Sequence, residues 1–150
     1  MSKLVYRVEV YDDRITEWYD FETGKLHNES GPAIVWSDGD TEYYIHGKRH
    51  NESGPAIVRP SGSKSYYIHG KLHNESGPAI VYPDGYKAYY IHGERHNEFG
   101  PAIVRSDGSK AYYLHDKKLT ESEFLARNKT SCEDKTIVVD GHTYRLVKAD

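Results

Sequence analysis

A single cysteine in 150 residues, Cys132, excludes any intramolecular disulfide, and its Ser-Cys-Glu-Asp setting reads as polar and loop-like. No apolar run approaches the ~20 residues that a membrane-spanning helix needs. Met1–Asp13 carries the charges of a strand and lacks the apolar centre of a signal peptide. Neither sign of charge dominates, because 20 Lys and Arg against 23 Asp and Glu leave a formal net charge of −3. Bulk electrostatics therefore does not point to nucleic acid or to a membrane surface. The sequence has no P-loop, no Gly-x-Ser-x-Gly, no glycine-rich dinucleotide turn and no unrepeated Asp/Glu pair in an obvious pocket. Nothing around Cys132 or His142 resembles a nucleophile setting. These absences set the expectation of a soluble cytoplasmic protein, not an enzyme, with no cofactor and no metal.

What is present is repetition. His-Asn-Glu-Ser-Gly-Pro-Ala-Ile-Val occurs unchanged at His27–Val35, His50–Val58 and His73–Val81, and once more at His96–Val104 with Phe99 in place of serine. The period is 23 residues, and the first three copies are each followed, after a variable turn, by Tyr-Tyr-Ile-His-Gly. Most of the aromatic content comes from 14 tyrosines. Tyrosine packs a flat ring while keeping its hydroxyl wet or hydrogen-bonded, which suits a thin sheet better than a deep core.

Within a unit, Pro32–Trp36 is short, β-branched and apolar, and proline without an N–H suits the first residue of a strand. Ser37-Asp38-Gly39-Asp40 is a turn, after which Glu42–Ile45 returns antiparallel. His46-Gly47 then forms a two-residue hairpin turn in which both positions need a positive φ, a conformation histidine tolerates better than most residues. Upstream, Lys3–Tyr11 alternates with Leu4, Tyr6, Val8 and Val10 on one face, the period of a half-buried strand. Arg14–Glu22 continues as a degenerate first repeat in which Phe21 falls one period before Tyr44. Downstream, Thr120 and Glu123 form a capping-box pattern that predicts a short helix through Phe124–Arg127. Thr136–Asp140 and His142–Lys148 read as a hairpin turning at Asp140-Gly141. The expected organisation is one all-β structural unit, an elongated antiparallel meander of stacked β-hairpin repeats. It comprises a strand pair and degenerate repeat over 1–26, four repeats over 27–119, and a helix-plus-hairpin cap over 120–150. With strands ~4.8 Å apart, such a ribbon runs on the order of 45 Å.

A tyrosine-rich strand, then Gly-Lys-Arg-His, a following glycine, and Asp-Gly before the next strand, all at a 23-residue period, resemble the MORN repeat over about Trp18 to Leu119. The chain departs from that family at Gly54-Pro55-Ala56, where Gly-x-Gly is common, and at His-Gly, where Asn-Gly is common. The His-x-x-x-Gly-Pro-Ala-Ile variant, ending in Leu119–Phe124, is most similar to repeat proteins of bacteriophages and large DNA viruses. No catalytic residues come with the resemblance. It implies a scaffold or binding protein and, if viral, one acting in the host cytoplasm.

Three sets of residues are candidates for function. The histidine pairs His46/His50, His69/His73 and His92/His96 have a spacing that suits zinc on a helix but need not around a β turn, where a turn role and a loop hydrogen bond explain them. The adjacent tyrosines, such as Tyr43/Tyr44, point to opposite faces, so one ladder packs the sheet and the other either packs it too or stays open for stacking. The third set is where the copies differ. Trp36, Arg59, Tyr82 and Arg105 form one column, and Lys64, Lys87 and Lys110, with Thr41, form a second that the hairpin register is expected to place nearly opposite. Arg59 beside Lys64 and Arg105 beside Lys110 would then be like-charge pairs, either solvated at a sheet rim or neutralised by an anionic ligand.

The expected function is that of a non-catalytic binding protein that engages a protein partner through its repeat sheet, in a virus by inhibiting a host defence component. An anionic-ligand binder (nucleotide, nucleic acid or lipid headgroup) using Trp36, Arg59, Lys64, Tyr82, Lys87, Arg105 and Lys110 is the alternative. A structural module that assembles through its sheet edge is the third.

Overall fold

In the computed structural model of the chain, the described residues are 6–11, 15–133, 136–139 and 142–145. Strand β1 (Tyr6–Tyr11) pairs antiparallel with β2 (Ile15–Asp20), with Val8 opposite Trp18. Strand β2 pairs with β3 (Ile34–Trp36), and β3 with β4 (Thr41–Glu42). The sheet then continues in chain order through Ile57–Val58, Lys64–Ser65, Ile80–Val81, Lys87–Ala88, Ile103–Val104, Lys110–Leu114 and Lys117–Leu119. The result is an open, 11-stranded antiparallel sheet with one C-terminal helix, the all-β meander that the period predicts. Ile34–Trp36 is short because Gly31-Pro32 lies just before it and a glycine turn just after, and the same bounds recur at Ile57–Val58, Ile80–Val81 and Ile103–Val104. In the first of these turns Gly39, at φ 93°, donates its N–H to the Trp36 carbonyl.

The return strand is not continuous. Thr41–Glu42 belongs to the large sheet, whereas Tyr44–Ile45 pairs with Lys48–Arg49 in a separate two-stranded ladder, and the arrangement recurs at Tyr67–Ile68 and Tyr90–Ile91. Tyr43 is the branch point. Its N–H donates to Ala56 of the next unit while its carbonyl accepts from His50 of the side hairpin, so its two backbone groups serve different strands. The side hairpins turn at His46 and Gly47, both with positive φ, as expected for a two-residue turn. In the last unit His115 and Asp116 keep the same turn without glycine, at φ 48° and 60°.

The first repeat is degenerate in a different way from the one its spacing suggests. Trp18 donates to Ala33 and accepts from His27, as Tyr43 donates to Ala56 and accepts from His50, so Trp18-Tyr19 is the counterpart of Tyr43-Tyr44. Phe21 lies instead in a turn two residues longer than the later ones and is exposed. A sequence alignment without gaps hides this insertion.

The sheet is thin. Ala33, Ala56, Ala79 and Ala102, one per unit, are fully buried, as are Ala88 and His27. Ala88, Ile103, Ala111 and Tyr113 gather around Ala102 in the largest apolar cluster. At the opposite end Val8 and Val10 are 50% and 59% exposed. Leu4, expected to share their face, lies outside the described residues.

Helix α1 (Glu121–Glu133) is closed at its start by the predicted capping box: Glu123 N–H donates to Thr120 Oγ1 at 3.2 Å, and Thr120 N–H donates to Glu123 Oε2 at 2.7 Å. The Thr120 N–H and hydroxyl both donate to that carboxylate and hold it below its ordinary range. The helix runs further than expected and takes in Cys132, since no glycine or proline interrupts Arg127–Glu133. Beyond it, Thr136–Val139 pairs antiparallel with His142–Arg145, while the expected turn at Asp140-Gly141 and the residues after Arg145 lie outside the described residues.

Candidate functional site

Register and alternation divide the repeat residues between two faces. Ile34, Glu42, Ile57, Ser65, Ile80, Ala88, Ile103 and Ala111 are successive cross-strand partners and therefore share one face. Val35, Thr41, Val58, Lys64, Val81, Lys87, Val104 and Lys110 are likewise successive partners and share the other.

Lys64 is thus opposite Val58, not Arg59, which corrects the expectation that the arginine and lysine columns lie side by side. Arg59 is on the first face, where its guanidinium pairs with Asp40 and, at 3.0 Å, with Glu42, and lies over the Trp36 ring at 5.6 Å. Arg49 reaches the same Glu42 carboxylate at 3.0 Å, and the Tyr44 hydroxyl donates to it at 2.8 Å. Burial, then that hydrogen bond, push the Tyr44 phenol above its ordinary value. Glu42 is itself only 4% exposed, so two arginines offset the charge of a buried carboxylate to which a phenol also donates. Neither like-charge pair expected from the sequence forms, since Lys64 and Lys110 are opposite Val58 and Val104. Tyr82 and Arg105 continue this face, Tyr82 stacked on Tyr86 and Arg105 reaching Ser109 Oγ at 3.3 Å.

The second face is corrugated. Each Asn-Glu-Ser-Gly loop stands up as a rib, tied by Asn28 Nδ2 donating to the Pro32 carbonyl and by Ser30 N–H donating to Asn28 Oδ1, and the same pair of bonds recurs at Asn51, Asn74 and Asn97. Between successive ribs lie three clefts of about 760, 750 and 680 Å³. The middle one is representative: Tyr66, Ile68 and Val81 line it together with Glu52 and Glu75 from the two ribs. Equivalent residues 23 positions earlier and later line its neighbours. In the last cleft Phe99, 94% exposed, replaces the serine of the rib. Lys64, Lys87 and Lys110 are the cross-strand partners of Val58, Val81 and Val104, so one lysine stands beside each cleft.

The histidines pair within each unit, rib to turn, and not as the expected neighbours His46/His50, His69/His73 and His92/His96. Each rib histidine accepts at Nδ1 the backbone N–H of the turn histidine 19 residues on, from His27/His46 at 3.0 Å to His96/His115 at 3.2 Å, and the ring centroids are 4.1–4.6 Å apart. An accepting Nδ1 fixes the neutral ring with its proton on Nε2, which faces the carboxylate two residues on, 3.5 Å away for His50 and Glu52. One histidine in each pair is thus a turn residue and the other a hydrogen-bond acceptor. Among the described residues no three metal-ligating side chains gather.

Of the seven candidate residues named from the sequence, Lys64, Lys87 and Lys110 share the cleft face, while Trp36, Arg59, Tyr82 and Arg105 share the opposite one. The cleft linings come from the identical positions, which read in the sequence as construction alone. The only advance signal was the glycine before each proline, a place where a rib lacks a side chain. No family model matches the chain, and no curated protein and no solved structure is similar enough to it to count as a match.

Proposed function

We propose that the chain is a non-catalytic, MORN-like repeat protein that binds a partner protein across its cleft-bearing face. The observation that carries this reading is the row of three equivalent clefts, open along one face, in successive units. Small ligands favour a single enclosed pocket, and an extended row suits an extended partner. Aromatic floors at Tyr43, Tyr66 and Tyr89, rimmed by rib glutamates and asparagines, have the apolar centre and polar edge of a protein interface. The likeness of the sequence to viral repeat proteins adds the proposal that the partner is a host protein, with a defence component inhibited by its binding.

A second reading, binding of an anionic ligand, is favoured by one observation, the file of Lys64, Lys87 and Lys110 on a single face. Arg59 contributes little to it, since Asp40 and Glu42 already engage its charge. Assembly through the outer edge of β1, beside the exposed Val8 and Val10, is the third.

Capture from the natural host with two variants separates these readings. A partner protein retained by the Arg59→Ala/Lys64→Ala/Arg105→Ala/Lys110→Ala variant but lost from the Glu52→Lys/Glu75→Lys variant supports the proposal. Salt-sensitive loss of nucleotide or lipid binding in the first variant supports the anionic ligand. A mass in light scattering that rises with concentration supports assembly.

A further inference from the structure

The row of clefts does not stop at its three open members, and its two ends show what a cleft accepts. At the N-terminal end the first rib has no predecessor, and β1 stands in that place. Gly31 and Ile45 line the first open cleft together. The counterpart of Ile45 in the first unit is Asp20, and the residue opposite Asp20 is Tyr6. Tyr6 therefore occupies the position of a rib glycine. Its ring is stacked with His27, with centroids 6.0 Å apart and planes at 23°, and its hydroxyl accepts the Glu29 N–H at 3.3 Å. At the C-terminal end the last floor tyrosine, Tyr112, is covered by Phe124 of α1 at 4.9 Å between centroids, and Phe124 is only 3% exposed.

Both terminal positions are thus filled by an aromatic ring of the chain itself. The three between them are open because the corresponding rib positions are Gly31, Gly54 and Gly77. Their linings repeat what Tyr6 meets: His50, His73 and His96 stand where His27 does, and Glu52, Glu75 and Glu98 where Glu29 does. Among the described residues the backbone N–H groups of these three glutamates have no partner, whereas that of Glu29 has the Tyr6 hydroxyl.

Resting on the protein-binding reading above, we infer that each open cleft receives one aromatic side chain of an extended partner segment, and tyrosine by preference. A tyrosine ring stacks on the rib histidine and its hydroxyl accepts the glutamate N–H. The spacing specifies the segment. Adjacent clefts are two strands apart, ~9.6 Å, and a polyproline II chain advances ~9.3 Å in three residues, so a tyrosine at every third position meets successive clefts. Phe99 adds an exposed aromatic ring to the rib of the last cleft.

Three labelled peptides test this by fluorescence anisotropy with the intact protein: three Tyr-Pro-Pro triplets, three Phe-Pro-Pro triplets and three Ala-Pro-Pro triplets. The tyrosine peptide binds saturably, the phenylalanine peptide more weakly, and the alanine peptide weaker than the tyrosine one by roughly tenfold or more. Gly54→Tyr supplies in cis the ring that Tyr6 supplies at the end. The substitution is sterically open, since a Cβ there meets only Asn51 Nδ2 at 3.7 Å. With its thermal melt unchanged, this variant loses affinity for the tyrosine peptide, and Gly31→Tyr/Gly54→Tyr/Gly77→Tyr loses it altogether. Alanine and tyrosine peptides binding equally, no saturable binding of the tyrosine peptide, or unchanged binding by Gly54→Tyr would overturn the inference. A host protein still lost from Glu52→Lys/Glu75→Lys in that case leaves the protein-binding reading standing without it.

Discussion

His27 accepts at Nδ1 the backbone N–H of His46, 3.0 Å away, and the two imidazoles stack with centroids 4.4 Å apart. The contact joins the rib of one unit to the turn of the same unit's side hairpin, and it recurs three more times along the chain. A protonated Nδ1 cannot accept, so acid breaks this bond wherever the histidine titrates.

His50 makes that dependence directional. Burial, then the neighbouring His69, lower its pKa from the ordinary 6.5, with Glu52 opposing. The folded chain therefore binds fewer protons at His50 than the unfolded chain, and its contribution to stability is complete above pH 6.5 and declines as the pH falls below that value. Thermal melts should show a lower midpoint at pH 5 than at pH 7.5. His50→Ala, which removes the acceptor for His69 N–H, should cost about 1 kcal/mol at the higher pH and less at the lower. An equal cost at both would show that the bond is not what titrates. The depressed carboxyls of Asp20, Asp107, Asp116 and Glu123 add their own loss in a separate window, only as the pH falls through the carboxylate range.

Removing the Glu42 carboxylate should destabilise the fold, although its loss is cushioned. Breaking a fully buried pair costs roughly 3–5 kcal/mol, but Arg49 and Arg59 are 39% and 35% exposed and can hydrate when released. Glu42→Ala is therefore expected to cost about 2 kcal/mol in urea unfolding. A change below about 0.5 kcal/mol, the range of ordinary surface substitutions, would mean the ion cluster is decoration.

Two glycines sixteen positions apart should respond with opposite signs. Gly70 sits at φ +82° against the Lys48 stem, so Gly70→Ala places a side chain in the left-handed region and should cost about 1 kcal/mol. Gly54 has no such φ and room for a Cβ, so Gly54→Ala should be neutral or stabilising by about 0.5 kcal/mol, through the unfolded chain. Chemical denaturation of both variants checks the contrast, and equal losses would refute the assigned backbone.

The helix should depend on one side chain. Phe124→Ala removes the ring that covers Tyr112 and should cost about 3 kcal/mol. Thr120→Ala, which removes half of the capping box, should cost about 1 kcal/mol. Amide exchange read along α1 and along the central strands locates the effect, and faster exchange in α1 alone would place the helix outside the cooperative unit.

The repeat period made the meander, the two-residue turns and the capping box readable, because each depends on residues close in sequence. The division of the return strand at Tyr43 was not readable, since it is decided by which distant carbonyl, that of Ala56, takes the tyrosine N–H. The same limit misplaced Phe21, where a two-residue insertion is silent in a strand too short to reveal its register. Arg59 and Lys64 looked like neighbours because a turn joins them, and a one-residue difference in register sends them to opposite faces. The clefts went unseen for another reason: they are lined by the invariant positions, and invariance in a repeat looks like scaffolding even where the scaffold has gaps.

Each unit is joined to the next by the same bond, in which Tyr43, Tyr66 and Tyr89 each donate their N–H to the alanine carbonyl 13 residues ahead. No junction between units is therefore unique, and an in-frame deletion or duplication of 23 residues rejoins surfaces that already fit. Loss of one module shortens the row of clefts by one and leaves Tyr6 and Phe124 at its ends. The array is a ruler whose length can be reset in whole divisions, so affinity for a long partner should change in steps with the number of divisions engaged.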